Sequence, residues 1–153
     1  MEPWEIAARL EIEDLISRYA RYADSGRSQD LAALFTDDGV LVAGDDEARG
    51  PDAIEAYLDA NKTSLAASTG AGRIRHHVSS LRIDLTSETS AAATCYFLAI
   101  TGTGPDHWGL YRDQLAREAR GWRFAHRLAI VEGHAPGSWA AHRRSGADPG
   151  AGA

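Results

Sequence analysis

The chain has 153 residues, 44% of them hydrophobic, which suits one ordinary domain whose core needs neither disulfides nor a structural metal. A formal net charge of −6 argues against nucleic-acid binding, because phosphate recognition needs a clustered surplus of Lys and Arg. The sequence shows no signal-peptide pattern and no apolar run near the roughly 20 residues of a membrane span, so we expect a soluble cytoplasmic protein with no membrane partner.

The first segment has the spacing of an amphipathic helix. Apolar residues recur every three or four positions with charges between them. This stripe consists of Ala8, Ile12, Leu15, Ile16, Tyr19, Tyr22 and Ala23. Because Gly26 can take the left-handed conformation that closes helices, we predict that the helix ends near Asp24.

Shorter elements are predicted next. Ser28 is the expected N-cap of a short helix that runs through Phe35. Residues 37–39 indicate a turn and residues 40–42 a short strand. Pro51 suits the first turn of a third helix, whose apolar face follows.

The period then changes from helical to alternating. Four strands are predicted, at about 73–85, 91–101, 107–118 and 122–132. Helices followed by an antiparallel meander indicate the α+β class. We place one domain at residues 1–133 and a tail, disordered in part, at 134–153, in which Trp139 is placed to fold back over the sheet.

The first of these long strands carries a change of phase. Ile74, His76 and Val78 lie on one face, whereas strict alternation puts the apolar residues from Leu81 onward on the other. A β-bulge at residues 79–80 would return both sets to one face. The pattern therefore predicts that His76 points inward and that its neighbour His77 points outward.

Two residues of the first helix each allow two interpretations. Asp24 opposes the helix dipole, so it belongs either to an exposed turn or to a pocket where it orients an imidazole. Tyr19 lies on the apolar stripe, where it is either a core residue or a catalytic hydroxyl.

The remaining reactive side chains point to structural roles. Cys95 lies in an apolar strand and is expected to be an inert core thiol. His126 stands alone on an apolar face, the usual setting of a core histidine. No set of His, Cys and carboxylates has convincing metal-ligand spacing, so we predict no metal.

Several short strings, in order and at suitable spacing over about residues 5–132, resemble the SnoaL-like branch of the NTF2-like superfamily. The matching strings are residues 12–15 with Tyr19, Tyr22 and Asp24, residues 31–39, Gly50, Pro51 and Ile54, residues 75–78, residues 111–113 and residues 121–124.

This resemblance implies a cone-shaped α+β barrel, with three N-terminal helices on a curved, mostly antiparallel sheet, and homodimers or higher homo-oligomers. Members include scytalone dehydratase, bile acid 7α-dehydratase, a dehydrochlorinase, ketosteroid isomerase and polyketide cyclases. In the dehydratases an Asp at the end of the first helix pairs with a strand His, and Asp24 and His76 match these positions. Tyr19 matches a further tyrosine of the bile acid enzyme.

The chain also departs from these relatives. Scytalone dehydratase has a second pocket His on the following strand, where this sequence has only residues 97–100, and a tyrosine where it has Ala23. Scytalone itself is therefore not the expected substrate. The polyketide cyclases rely on a later Asp, for which Asp113 is the nearest candidate.

These observations lead to one mechanistic hypothesis without metal or organic cofactor. His76 removes a C–H proton from a small hydrophobic polyketide-, steroid- or terpenoid-like substrate, Asp24 orients the imidazole, and Tyr19 binds the substrate oxygen. Further substrate contacts are expected from Tyr22, Tyr111, Asp113, His126 and Trp108.

Dehydration is the reaction we favour, and cyclisation and isomerisation share its first step. The alternative is a binding or dimerisation module without chemistry, because a fold does not fix a function. An epoxide hydrolase would need an Asp-Arg-Asp set, which the sequence does not clearly contain.

Overall fold

The computed structural model describes residues 1–69 and 73–145 of the chain. Three helices and two strands make up the first half of the described residues, and four long strands and a short helix follow. In chain order these elements are α1 (Pro3–Asp24), α2 (Ser28–Ala32), β1 (Phe35–Ala43), β2 (Asp46–Arg49), α3 (Pro51–Thr69), β3 (Ile74–Leu85), β4 (Ser90–Thr101), β5 (Gly104–Glu118), β6 (Gly121–His134) and α4 (Trp139–Ser145).

The strands form one curved six-stranded sheet in the order β2-β1-β6-β5-β4-β3. Every neighbouring pair is antiparallel except β1 and β6, which run parallel. The predicted α+β class and the helices packed on a mostly antiparallel sheet are confirmed. The sheet is not closed into a barrel, however, and β2 and β3 remain its edges.

Helix α1 buries the predicted apolar stripe and ends at Asp24, as predicted from Gly26. Its residues from Ala8 to Tyr19 that face the sheet are buried, and Tyr22 packs beside them at the end of the stripe. The N–H of Gly26, at φ +67°, bonds the carbonyl of Ala23, and the N–H of Arg27 bonds that of Tyr22. This Schellman arrangement makes Asp24 the last helical residue and fixes the direction of its side chain.

The predicted bulge in β3 is confirmed. The pairing of β3 with β4 shifts register between Ser79 and Arg82, and Ser80 takes φ +53°. Residues on both sides of the shift then bury the same face, from Ile74 and His76 through to Leu85. The extra residue therefore keeps His76 on the inner face and His77 exposed.

Changing Ser80 to Gly should raise the free energy of unfolding by up to about 1 kcal/mol, because the left-handed conformation is strained for any residue with a Cβ. Urea denaturation measures the change. The matched control is Ser79→Gly, which lies in regular strand and should lose about 0.5–1 kcal/mol. An equal loss in both variants would mean that the bulge carries no strain.

Three local predictions before α3 were wrong. The Ser28 hydroxyl does not cap α2 but donates to Asp59 at 2.7 Å, tying α2 to α3, and the helix ends at Ala32. Residues 37–39 do not form a separate turn but belong to β1, where the register against β6 is irregular. The short strand β2 was not predicted, because its residues are nearly all charged.

The chain beyond the predicted domain boundary is structured over part of its length. Strand β6 continues to His134, α4 follows, and the Trp139 indole donates to the Ser64 hydroxyl of α3 at 3.0 Å. The boundary at residue 133 stays a prediction. The predicted disorder falls mostly on residues 146–153, which lie outside the described residues.

Over residues 1–69 and 73–145, no helix is both long enough and apolar enough to cross a membrane.

Candidate active site

Asp24 and His76 meet between the end of α1 and the edge strand β3. The Nδ1 atom of His76 lies 2.7 Å from Oδ1 of Asp24, and the two side chains are only 15% and 13% exposed. The two residues are 52 positions apart in the chain. The predicted contact between carboxylate and imidazole is therefore present in the structure.

The same carboxylate also binds the backbone of β3. The N–H of His76 donates to both oxygens of Asp24, at 3.1 and 3.2 Å. Because β3 is an edge strand, this N–H has no sheet partner on its outer side, and Asp24 takes that place. The backbone N–H and the imidazole ring of His76 thus both bind Asp24. These hydrogen bonds offset the unfavourable position of Asp24 at the negative end of the α1 dipole.

The pairing also determines which nitrogen of His76 is available. A carboxylate only accepts hydrogen bonds, so the neutral imidazole carries its proton on Nδ1 and donates it to Asp24. Nε2 then holds a free lone pair, and it makes no hydrogen bond to the described residues. A side chain arranged in this way can act as a general base.

This imidazole borders a cavity of about 340 Å³ between the helices and the sheet. Most of the surrounding side chains are apolar or aromatic, which is typical of sites for small hydrophobic molecules. Those that frame the space are Leu41, Tyr57, Leu58, Leu65, Phe97, Ala129, Val131 and Trp139. Asp24 and His76 form part of the wall on the α1 side.

Tyr19, Tyr22 and Tyr111 all line the cavity, as the predicted contacts require. Tyr19 is buried and packs edge-on against Tyr111 at 5.9 Å between ring centres. Burial raises the pKa of Tyr19, although the nearby guanidinium of Arg127 opposes that rise. Its hydroxyl therefore stays protonated near neutral pH and is available as a donor.

Asp113 does not line this cavity, contrary to the predicted substrate contact. Both of its oxygens bind the buried Arg127, at 2.8 Å from Nε and 2.7 Å from Nη2. The guanidinium carbon also lies 4.1 Å from the ring centres of Tyr19 and Tyr111. Burial disfavours the charge of Arg127, but Asp113 outweighs this effect and raises its pKa. The carboxylate is thus engaged in a structural ion pair.

His126 and Trp108 do not line the cavity either. A register shift between β5 and β6 leaves Ala125 as an extra residue, so the side chains after it change faces. His126 then points to the outer face, and Arg127 takes the inner one. Trp108 is 40% exposed because its neighbour His107 occupies the inward position on β5.

Two residues near the cavity were not among the predicted site residues. His107 lines it, and Arg127 lies beneath its aromatic wall. Alternation back from Tyr111 along β5 puts His107 inside and Trp108 outside, and this signal was not used. Arg127 was hidden by the bulge, and its only signal was a charge within an otherwise apolar run.

Two further predictions concern metal and thiol chemistry. Within the described residues, no three or more His, Cys, Asp and Glu side chains cluster as metal ligands would. Burial raises the pKa of the Cys95 thiol to about 11, which fits the expected inert core residue.

A comparison with family models matches residues 4–128 to a SnoaL-like domain. No curated protein matches the chain in sequence.

Solved structures share the fold over most of the chain. A protein assigned as a scytalone dehydratase from Novosphingobium aromaticivorans is 25% identical, with a TM-score of 0.75 over 88% of this chain and 91% of that one. An NTF2-like protein with a cystatin-like fold from the same organism is 27% identical, with a TM-score of 0.73 over 88% of each chain. LinA is 22% identical, with a TM-score of 0.74 over 87% and 91%.

Proposed function

The chain belongs to the SnoaL-like family, and from that premise we propose that it is an acid–base enzyme that removes water from a small hydrophobic molecule. The observation that carries the proposal is the 2.7 Å contact between His76 and Asp24 at the wall of a largely apolar cavity. The reaction uses only side chains of the protein.

His76 is the proposed base. Its Nε2 atom takes a proton from a carbon next to a carbonyl group, or conjugated with one, and the electron pair of that C–H bond forms a carbon–carbon double bond. The adjacent C–O bond breaks, and the departing hydroxyl takes the proton back from Nε2 to leave as water. Asp24 holds the Nδ1 proton throughout and stabilises the imidazolium between the two transfers.

Tyr19 is the proposed donor to the substrate carbonyl. Negative charge develops on that oxygen as the C–H proton leaves, and a donor already in place stabilises it. Tyr19 can serve because burial keeps its hydroxyl protonated. The packing of its ring against Phe124 and Tyr111 holds it in one orientation before substrate enters.

Two observations support a hydrophobic substrate and an elimination. The cavity walls are aromatic and aliphatic, so binding comes mainly from apolar burial. A relative of the same fold is named as a scytalone dehydratase, an enzyme class that removes water.

The experiment is incubation with a panel of small cyclic β-hydroxyketones in deuterium oxide, followed by mass spectrometry. Loss of the mass of water, dependent on the protein, supports the dehydratase. Deuterium uptake without loss of water supports an isomerase or cyclase that shares the first proton transfer. Binding without either change would contradict an acid–base enzyme and favour a binding module.

Homodimerisation, a cytoplasmic location and the absence of an organic cofactor remain predictions from the sequence.

A further inference from the structure

His107, which lines the cavity, forms a second imidazole–carboxylate pair with the buried Asp106 on β5. Nδ1 of His107 lies 2.8 Å from Oδ2 of Asp106, and the side chains are 11% and 1% exposed. The His107 ring lies 6.4 Å from the His76 ring, centre to centre, in an edge-to-face arrangement. The two imidazoles therefore face the same part of the cavity.

Asp106 is surrounded by hydrogen-bond donors. Besides the His107 ring, its oxygens accept the N–H of Trp139 at 2.8 Å and the N–H of Ala140 at 3.2 Å, where α4 begins. A carboxylate in this setting acts as an acceptor, so the imidazole of His107 carries its proton on Nδ1. Burial lowers the pKa of His107, and Asp106 offsets part of that effect, so the ring is neutral near neutral pH. Nε2 is left as an acceptor.

An acceptor that no protein donor occupies favours a particular kind of ligand. Within the described residues, Nε2 of His107 makes no hydrogen bond to protein, although the ring lines the cavity. A ligand that covers this nitrogen without donating to it removes the nitrogen from water and leaves it without a hydrogen bond, which disfavours purely apolar molecules.

We propose that Nε2 of His107 accepts a hydrogen bond from a hydroxyl group of the substrate. This inference rests on the proposed function and adds the orientation of the substrate, in which a hydroxyl group faces His107. Because the two rings are 6.4 Å apart, the hydroxyl lies within a few bonds of the C–H that His76 attacks. Asp106 acts through His107 and is a positioning residue.

A matched pair of ligands tests this without the natural substrate. The probes are 2-naphthol and 2-methoxynaphthalene, which have the same ring system but differ in whether the oxygen can donate. Isothermal titration calorimetry gives both affinities. Wild-type protein should bind 2-naphthol about tenfold more tightly, the value of one hydrogen bond in a desolvated site.

The variants assign this preference to one imidazole. His107→Phe should bind both probes equally, whereas the exposed control His77→Phe should keep the tenfold ratio. A tenfold ratio that persists in His107→Phe would assign the acceptor to another residue and overturn the proposal. Equal affinities in wild-type protein, or no binding of 2-naphthol, would also overturn it.

Asp106→Asn gives a readout that a purely structural role would not produce. The amide oxygen can still accept from the start of α4, while its NH₂ donates to Nδ1 and moves the His107 proton to Nε2. The ratio of the affinity for 2-naphthol to the affinity for 2-methoxynaphthalene should then fall to one or below. Since these measurements need no turnover, they stand or fall separately from the elimination assay.

Discussion

Replacing His76 with alanine should slow the ring opening of 5-nitrobenzisoxazole about 10²–10⁴-fold, the usual contribution of a positioned base. In this reaction a base removes the ring C–H proton while the N–O bond breaks, which releases a coloured phenolate. The assay needs only a base in an apolar cavity, so it tests Nε2 of His76 directly. Absorbance measures the rate in wild-type and variant protein.

The neighbouring residue supplies the control. His77 lies on the same strand with its side chain exposed on the opposite face, so His77→Ala should keep the wild-type rate. The rate of the Asp24→Asn variant should fall between those of His76→Ala and His77→Ala. The amide can present a donor to Nδ1 of His76 and so favour the wrong tautomer. A wild-type rate in His76→Ala would exclude this imidazole as the base.

Asp113→Ala should lower the free energy of unfolding by about 3–5 kcal/mol, because it leaves the buried guanidinium of Arg127 without a counter-ion. That loss is a large part of the total stability of a domain of this size. Urea denaturation followed by circular dichroism measures it. We expect this to be the most destabilising carboxylate replacement among those considered.

Two controls separate the charge from the packing. The double variant Asp113→Leu with Arg127→Met should lose less than Asp113→Ala alone, because no unpaired charge remains buried. Asp84→Ala breaks only the exposed pair with Arg82 and should change stability little. If the single and double variants lost the same free energy, the ion pair would not be the cause.

The sequence predicted the α1 end and the β3 face well because each depends on local pattern. A glycine after a long apolar stripe marks a helix end, and a change in alternation marks a bulge. Both positions of the Asp24–His76 contact follow from these rules. The family resemblance, however, was needed to predict that Asp24 and His76 meet in space. No local pattern encodes a contact between residues 52 positions apart.

The bulge in β6 was invisible for a physical reason. Every second residue from Trp122 to Ile130 is aromatic, aliphatic or His126, so no change of phase appears when the strand is considered alone. The shift arises from pairing with β5, where Ala125 is the unpaired residue. Sequence alternation therefore placed His126 inside and Arg127 outside, the reverse of the structure.

Residues 37–39 were misjudged because composition outweighed context. An Asp-Asp-Gly sequence favours a turn in isolation, yet here β6 pairs with β1 both before and after these residues, and β2 pairs after them. The Gly- and Ala-rich segment after β6 has little propensity of its own. It is ordered by contacts from elsewhere, including Asp106 at the start of α4.

The shared carboxylate of Asp106 links the outside of the protein to its interior. One oxygen pair anchors both the start of α4 and the ring of His107, so a rearrangement of α4 would also release that ring. Because Trp139 of α4 also lines the cavity, a change in α4 can alter both the cavity wall and the ligand selectivity set by His107. A purification tag placed close behind α4 would carry the same risk, and an amino-terminal tag is the safer choice for ligand studies.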